Sequence, residues 1–582
     1  SSPKLEDRIE KTYAALSTAG LNKSLYDAYI KAFRWSTDRL NSTHGGIIAF
    51  VTNGSWLDGN STDGFRKTIE KEFSSIWVFN LRGNQRTSGE LSRREGGKIF
   101  GSGSRAPITI TLLVKNPDET KKKATIHYHD IGDYLSREEK FKIITESVSV
   151  GNPKMSWETI HPNEYGDWIN HRNDVFETFI PIAPDKKFDV RSKSLFTVNA
   201  VGINTARDLW AYGFSKNSVT HKISNLIKFY NQQLEIVSKN EDKNINDILS
   251  TDLSRIKWTV NLKNDIIKGI KHKVNPNLRS CIYRPFNKLW LYYDKSFIER
   301  PGLSEMIFPY EESDNLLISV SGIGSNKDFS LLISDCFSTL DNIEKSQGFP
   351  LYYYEKNNNQ QKSLFDDPHE TEYIRRDGIS DFILSRAQKQ YGKNVSKEDI
   401  FFYVYGFLHS PDFRTAFAND LKKMLPRLPL VDDIRDFWKF SKAGRQLADL
   451  HVNYESVPLC ADVIVTGDEA GYLGVQKMRF QKKGQKGTII FNSKITISNI
   501  PEKAYEYVVN GKSAIEWIME RYQVTVDKKS KIKNDPNDWG NETGNPRYIL
   551  DLLLSVINVS IQTVDIVNQL PELNFHGMEA SD

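Results

Sequence analysis

Six cations crowd one glycine-rich stretch of this 582-residue chain: Arg82, Arg86, Arg93, Arg94 and Lys98 between Leu81 and Phe100, with Arg105 just beyond. The guanidinium fork matches phosphate oxygens, and long polar loops in compact domains usually carry function. Glu90 and Glu95 cancel part of the charge, so a solvated surface loop is the competing reading. A second patch, KMRFQKKGQKGTII over Lys477–Ile490, holds Lys477, Arg479, Lys482, Lys483 and Lys486 with no acidic neighbour. It reads as a β-hairpin with Gly484 and Gly487 at the turn, suited to a polyanion backbone or to lysine protection of a sheet edge. Asn53, Gly54, Ser55 and Trp56 follow an apolar strand directly. In an open α/β sheet the carboxyl ends of strands line the ligand crevice, although a plain strand-to-helix turn has the same composition.

Other candidates carry less. Ser321–Lys327 (SGIGSNK) lacks the GxxxxGK[ST] spacing of a phosphate loop, and no such motif occurs elsewhere. His409, beside Ser410 and Pro411, reads as a helix cap or a solvent-facing residue, with no Cys or Asp at a telling spacing. Cys281, Cys336 and Cys460 are odd in number and far apart, which points to a reducing compartment and neither a disulfide framework nor a cysteine metal site.

The elements that must position these residues follow from periodicity. Ser24–Leu40 has apolar residues at helical spacing with Ser24 as N-cap. Ile47–Val51 reads as a strand buried on both faces, Asp63–Phe73 as a helix, Ile76–Leu81 as a strand and Pro107–Lys115 as an alternating strand. Together they predict an α/β fold, the late half of a doubly wound sheet with an antiparallel strand near its end. A further strand at Ala124–His129 and a helix at Ser136–Thr145 complete this part, which ends near residue 150; 151–191 reads as connector. Residues 192–355 are mixed α+β, 356–381 is a polar linker, and 382–582 combines helices with the basic hairpin. Between Ser254 and Asp294, Leu289, Leu291 and Tyr293 alternate as strand residues facing a core, whereas some of Arg255, Lys257, Lys268, Lys271, Lys273, Arg279, Arg284 and Lys288 suit phosphate contact.

Net charge is only +4, so any nucleic-acid signal must be local. No run of eighteen apolar residues occurs, and Arg547–Leu570 reads as core because Asp551, Asn558 and Asp565 interrupt it. The N-terminus does not have the pattern of a signal peptide.

SLYDAYI, then GGIIAFVTNGSWL, then IF followed by PITITLLV resemble the later motifs of γ-class adenine-N6 DNA methyltransferases. RWSTDRL, FVTNGSWLDG, NLRGNQRTSGE, GGKIFGSGSR, RPFNKLWLYYD, FPLYYYE, YGFLHSPDFR, NGKSAIEWIMERYQV and NDPNDWGNETGNPRYILDLLLS resemble the single-chain type ISP restriction-modification enzymes across nearly the whole chain.

The resemblance implies the C-terminal half of a Rossmann-like methyltransferase sheet over 1–150, and a target-recognition domain over 192–355 and 382–582. Phe100 matches the Phe that stacks on an adenine turned out of the duplex. Asn53, Gly54, Ser55 and Trp56 would shape the target-base pocket. Tyr26 and Asp27 would lie near S-adenosylmethionine, which upstream residues mostly bind. Arg207 joins the two cation patches as a DNA contact. The catalytic Asn-Pro-Pro-Tyr motif has no counterpart in this chain, so no catalytic residue is assigned and the chain alone is expected to be inactive. The expected partners are double-stranded DNA with an asymmetric site, and upstream nuclease and helicase-like domains using ATP and Mg2+ in the bacterial cytoplasm. A non-catalytic specificity subunit and an RNA adenine methyltransferase are the alternatives.

Overall fold

The computed structural model describes residues 2–19, 23–41, 43–87, 89–101, 103–119, 122–240, 244–357 and 372–575. They form two compact units, Ser1–Phe176 with Asn419–Met424, and Glu177–Ala418 with Leu425–Asp582.

The first unit is built on five strands: β1 (Gly46–Asn53), β2 (Ser75–Asn80), β3 (Ile108–Lys115), β4 (Thr125–Asp130) and β5 (Glu158–Ile160). They lie in the order β1-β3-β2-β4-β5. β3 is antiparallel to both β1 and β2, β2 and β4 are parallel, and β5 is antiparallel to β4. Hence β1, β2 and β4 point the same way. Their carboxyl ends share one edge, with Asn53 opposite Ile108 and Asn80 opposite Thr109 and Asp130.

Aromatic packing fixes the helices. Phe33 of the helix Ala28–Thr37 and Phe65 of the helix Asp63–Glu72 are fully buried, and both rings meet Trp56 at 6.3 and 5.3 Å. Each such side chain contributes about 1.5–3 kcal/mol by leaving water, more than any surface pair supplies. The segment Asn419–Met424 is tied into the same unit by Lys423, whose Nζ lies 2.9 Å from Asp58 and 3.2 Å from Asp167.

The start of the second helix and the burial of β1 differ from what periodicity predicts. The helix expected over Ser24–Leu40 starts at Ala28, after a 3-10 turn over Lys23–Tyr26; the Ser24 hydroxyl bonds Ser61 instead of capping. β1 is not buried on both faces: Ile47 and Val51 are 66% and 55% exposed. Ile47, Ala49 and Val51 point to one face of the sheet and stay uncovered there, while Ile48 on the other face is buried.

The second unit is mixed α+β, with three four-stranded sheets among the described residues. One contains Leu278–Arg284 and Asn287–Tyr292, and it buries Leu289 and Leu291 as their alternation predicts. The segment read as a linker begins and ends in paired strands, Tyr352–Lys356 against Tyr373–Asp377. Its residues 358–371 lie outside the described residues. The apolar helix Tyr548–Val567 is core, with Leu550, Leu553 and Ile557 fully buried. The helices Lys397–Phe407 and Ile434–Val452 touch backbone to backbone. A Cβ on Gly406 would stand 2.1 Å from the Phe440 carbonyl oxygen, and one on Gly444 1.8 Å from that of Phe402. Only glycine fits either position.

His409 is neither a helix cap nor solvent-facing. It is buried just beyond the first of these helices, its Nδ1 2.7 Å from the Tyr405 carbonyl oxygen. His451 is buried nearby, Nδ1 2.6 Å from the Tyr405 hydroxyl and Nε2 2.9 Å from the Thr563 hydroxyl. Burial pushes the His451 imidazole down to about 3. Burial also lowers His409, with Arg414 and His451 adding to the effect.

Both rings are therefore neutral in the folded chain, while the unfolded chain protonates them near the ordinary value of about 6.5. Stability is full above that pH and falls as the pH drops through 6.5 towards 3. By pH 5 His451 alone removes about 2 kcal/mol. Urea unfolding at pH 7 and pH 5 is expected to show a smaller acid loss for His451→Gln than for the parent chain. Equal acid losses would show that His451 is already charged when folded.

Candidate nucleic-acid interface

The excursion from β2 to β3 leaves and re-enters the sheet at the edge shared by the carboxyl ends of β1, β2 and β4. It contains a short helix, Gly89–Glu95. Its return limb is clamped from below by Lys140, on a helix (Arg137–Ser147) whose start is fixed by a Ser136–Glu139 capping box. The Lys140 side chain is fully buried, and its Nζ donates to the carbonyls of Glu95 (2.7 Å) and Gly97 (2.9 Å). Burial lowers its ammonium to about 8. Gly97 has no room for a side chain, since a Cβ there would lie 2.4 Å from the Arg137 nitrogen.

At the end of this limb two adjacent residues part company. Ile99 is 4% exposed and joins Phe79, Leu81 and Ile108 in a satellite core. Phe100 is 49% exposed. The Arg137 guanidinium donates to the Ile99 carbonyl at 3.1 Å and holds the backbone between them.

The cations of the excursion divide into two groups. Arg82 is committed to structure: it lies in a left-handed backbone conformation (φ 55°) and donates to Asp130 at 2.7 Å and to Asp133. Contrary to the expectation of a DNA contact, two carboxylates already satisfy it. Arg94 reaches Asp133 at 3.1 Å and Arg93 pairs with Glu90, both on the surface. Arg86, Lys98 and Arg105 have no ion pair among the described residues; Arg105 donates to the Gln85 carbonyl at 2.7 Å and keeps its charge uncompensated.

The turn after β1 is likewise mostly structural. The Asn53 side chain accepts from the Ser55 nitrogen at 2.9 Å. Trp56 is fully buried, its carbonyl accepting from the buried Arg66 guanidinium at 2.7 Å. Gly54 is buried as well, and a Cβ there would lie 2.7 Å from Thr109 Cγ2. Trp56 and Gly54 therefore belong to the core and offer no face to a ligand; Asn53 and Ser55 remain at the edge. Tyr26 is half-buried against the same core, and Asp27 is exposed at the start of the helix Ala28–Thr37 with no capping bond from its side chain.

Arg207 is a further correction. It is 1% exposed, donates to the Thr259 hydroxyl, and lies 5.7 Å from the Phe297 ring centre. Burial lowers it to about 10, against the opposing pull of Glu299 and Asp265. A guanidinium so enclosed cannot reach a phosphate. The basic hairpin is present, with strands Arg479–Lys482 and Gln485–Ile490. Lys483 and Gly484 (φ 82°) form a two-residue turn, while Gly487 lies within the second strand. Lys477, Arg479, Lys482 and Lys483 are exposed; Lys486 is taken by Glu516 at 2.9 Å.

Sequence reasoning missed a polar cluster on the same edge of the sheet. Asn80 Nδ2 donates to the Tyr128 hydroxyl at 3.0 Å, and that hydroxyl donates to Asp130 at 3.0 Å. Burial, with Asp130 beside it, raises the Tyr128 hydroxyl above its usual range. The available signal was a polar residue closing each of two neighbouring strands, Asn80 in SIWVFN and Asp130 in TIHYHD.

A mixed sheet with a cation-bearing, aromatic-tipped excursion at its carboxyl edge, joined in one chain to a second unit carrying a lysine hairpin, defines a candidate polyanion-binding protein. The family model described as the Type ISP C-terminal specificity domain matches residues 194–552, and the chain belongs to that family. Three solved structures are similar. A nuclease-deletion mutant of the Type ISP restriction-modification enzyme LlaGI, in complex with a DNA substrate mimic, is 40% identical with a TM-score of 0.86, over 98% of this chain and 50% of that one. The ATP-dependent Type ISP enzyme LlaBIII bound to DNA is 37% identical with a TM-score of 0.86, over 99% of this chain and 36% of that one. A DrdV–DNA complex is 28% identical with a TM-score of 0.83, over 98% of this chain and 55% of that one. This chain thus spans about half the length of these chains, or less. No curated protein matches it.

Lys140→Met is expected to cost about 1–3 kcal/mol, because two carbonyls lose their buried donor. Hydrogen exchange should accelerate in the return limb at residues 95–100 and stay unchanged in β1. Protection unchanged at 95–100 would show that the clamp is not what orders the limb.

Proposed function

We propose that this chain serves in a Type ISP restriction-modification enzyme as the downstream part of an S-adenosylmethionine-dependent adenine-N6 DNA methyltransferase together with its target-recognition region. In this reading it acts on double-stranded DNA at an asymmetric site, in the bacterial cytoplasm. Upstream segments of a longer polypeptide supply the Asn-Pro-Pro-Tyr motif, the ATP- and Mg2+-dependent motor and the nuclease.

The observation that carries the reading is the outward Phe100 beside the inward Ile99, at the sheet edge where open α/β folds bind ligands. An adenine drawn out of a duplex loses its stacking, and an aromatic face restores about 1–3 kcal/mol of it. Asn53 and Ser55 lie on the same edge, and Arg86, Lys98 and Arg105, with charges not matched by carboxylates, would meet the phosphates. On the second unit Lys477, Arg479, Lys482 and Lys483 would contact the DNA backbone without selecting sequence. Tyr26 and Asp27 offer one ring and one carboxylate, too few groups to hold S-adenosylmethionine. Cofactor binding is therefore assigned to upstream residues.

In the intact enzyme Phe100→Ala is expected to lower adenine methylation about 5- to 150-fold, the rate equivalent of the lost stacking, and to change duplex affinity less than twofold. Equal loss of methylation and affinity would make Phe100 a structural residue. Lys482→Ala with Lys483→Ala should weaken binding to every sequence and reduce the salt slope by up to about two. An unchanged slope would remove the hairpin from the interface.

A further inference from the structure

The covered face of the first unit's sheet carries a polar row where its packing calls for an apolar one. Side chains of β3 alternate, so Thr109, Thr111 and Leu113 share the face on which Ile48 and Val78 are buried. Register places Thr52 of β1 on one side of Thr109 and Asn80 of β2 on the other, with Asp130 of β4 next to Asn80. One pair further in, Thr111 lies between Phe50 and Val78. Thr52, Thr109, Asn80 and Asp130 thus form a line across four strands, directly behind the edge that bears Asn53.

Thr109 and Thr111 are both 0% exposed. Among the described residues neither hydroxyl has a hydrogen-bond partner, and the Thr52 hydroxyl, also shielded from solvent, has none either. The backbone beside them is already engaged, because ladders on both sides of β3 use its amides and carbonyls. Trp56 Nε1 is a fourth buried donor with no partner among the described residues. The Trp56 ring meets Phe33 at 6.3 Å, and Phe33 meets Phe50, the residue opposite Thr111, at 5.0 Å. A buried polar group left unpaired is costly, and valine would fill the same space at 109 or 111 without that cost. The hydroxyls therefore call for a partner that the protein does not supply.

The spacing fits water. Directly opposed side chains such as Thr52 and Thr109 have Cβ atoms about 4.5–5.5 Å apart, and residues two apart on a strand are about 6.8 Å apart. A water reaching about 2.8 Å to each side spans the first distance alone and the second with one further molecule. Threonine hydroxyls can both donate and accept. Asn80 commits its amide hydrogens to Tyr128 and Asp130 and accepts from the Arg82 nitrogen at 3.1 Å, which leaves its Oδ1 one lone pair facing the row.

We propose that ordered water molecules are bound inside the first unit along this row, held by the hydroxyls of Thr52, Thr109 and Thr111 and reaching Asn80 Oδ1. The ligand is water and nothing larger, because Thr109 and Thr111 are sealed from solvent on every side. Thr52 is partly exposed, so exchange with solvent runs through the carboxyl edge of the sheet. Water binding here does not depend on the DNA reading; within that reading the seam forms a wet rear wall to the edge where Asn53 and Ser55 stand.

The test turns on a sign. If the hydroxyls are unpaired, Thr109→Val or Thr111→Val deletes a costly group, and hydrogen exchange of the β3 amides in the whole chain slows or stays unchanged. If they hold water, each substitution strips a bound molecule of a partner, and those amides are expected to open about 5- to 150-fold more often. A crystal structure of the parent chain gives the second arm: water density is expected within about 3.2 Å of the Thr109 and Thr111 hydroxyls. A dry site in a map that shows other buried waters would overturn the proposal even if the valine variants fail to fold. Faster exchange together with a dry site would hand the hydroxyls to a protein partner and overturn it as well, and slower or unchanged exchange in the variants would do the same.

Discussion

The insertion of β3, antiparallel, between β1 and β2 is the constraint on which the first unit depends. Eight register pairs lock β3 to β1 and six lock it to β2. Because β3 runs against its neighbours, the chain must leave β2 and enter β3 at the same edge. Whatever lies between them is held over the carboxyl ends of β1, β2 and β4. Had β3 been parallel, the connection would have crossed a face of the sheet, and Phe100 would have been carried away from Asn53 and Asn80.

The irregular segments at this edge, the excursion and the turn after β1, are ordered by buried cations bonded to the backbone. Lys140 satisfies two carbonyls of the return limb, and Arg66 satisfies those of Trp56 at 2.7 Å and Gly59 at 2.8 Å. A buried cation is costly unless its hydrogens are all placed, so each of these side chains admits one local arrangement of chain. They substitute for the regular hydrogen bonding that an irregular segment cannot make itself. The surface arginines Arg93 and Arg94, paired in solvent, add little by comparison.

How much was legible in the sequence depended on the range of the interaction. Periodicity located β1, β2 and β3 and the core role of Tyr548–Val567, because each rests on spacing within one element. The lysine hairpin was legible for the same reason: its two-residue turn is local. The committed arginines were not. Arg82 is satisfied by Asp130 and Asp133, about fifty residues on, and Arg207 is sealed by Thr259 and Phe297, further still. Residue type announced a cation in each case, but only the fold shows whether its partner is a phosphate or a neighbour. The same holds for His409, which carries every local sign of an exposed cap and is buried by elements its own segment does not contain.

Gly406 and Gly444 have a consequence for motion. Packed helices ordinarily slide past one another by small readjustments of the side chains between them. Here the main chains themselves are in contact, so no such lubricating layer exists and the pair moves as one strut. Compliance in the second unit must then reside outside this pair of helices. Elements packed against either helix are thereby held at a fixed separation from those packed against the other.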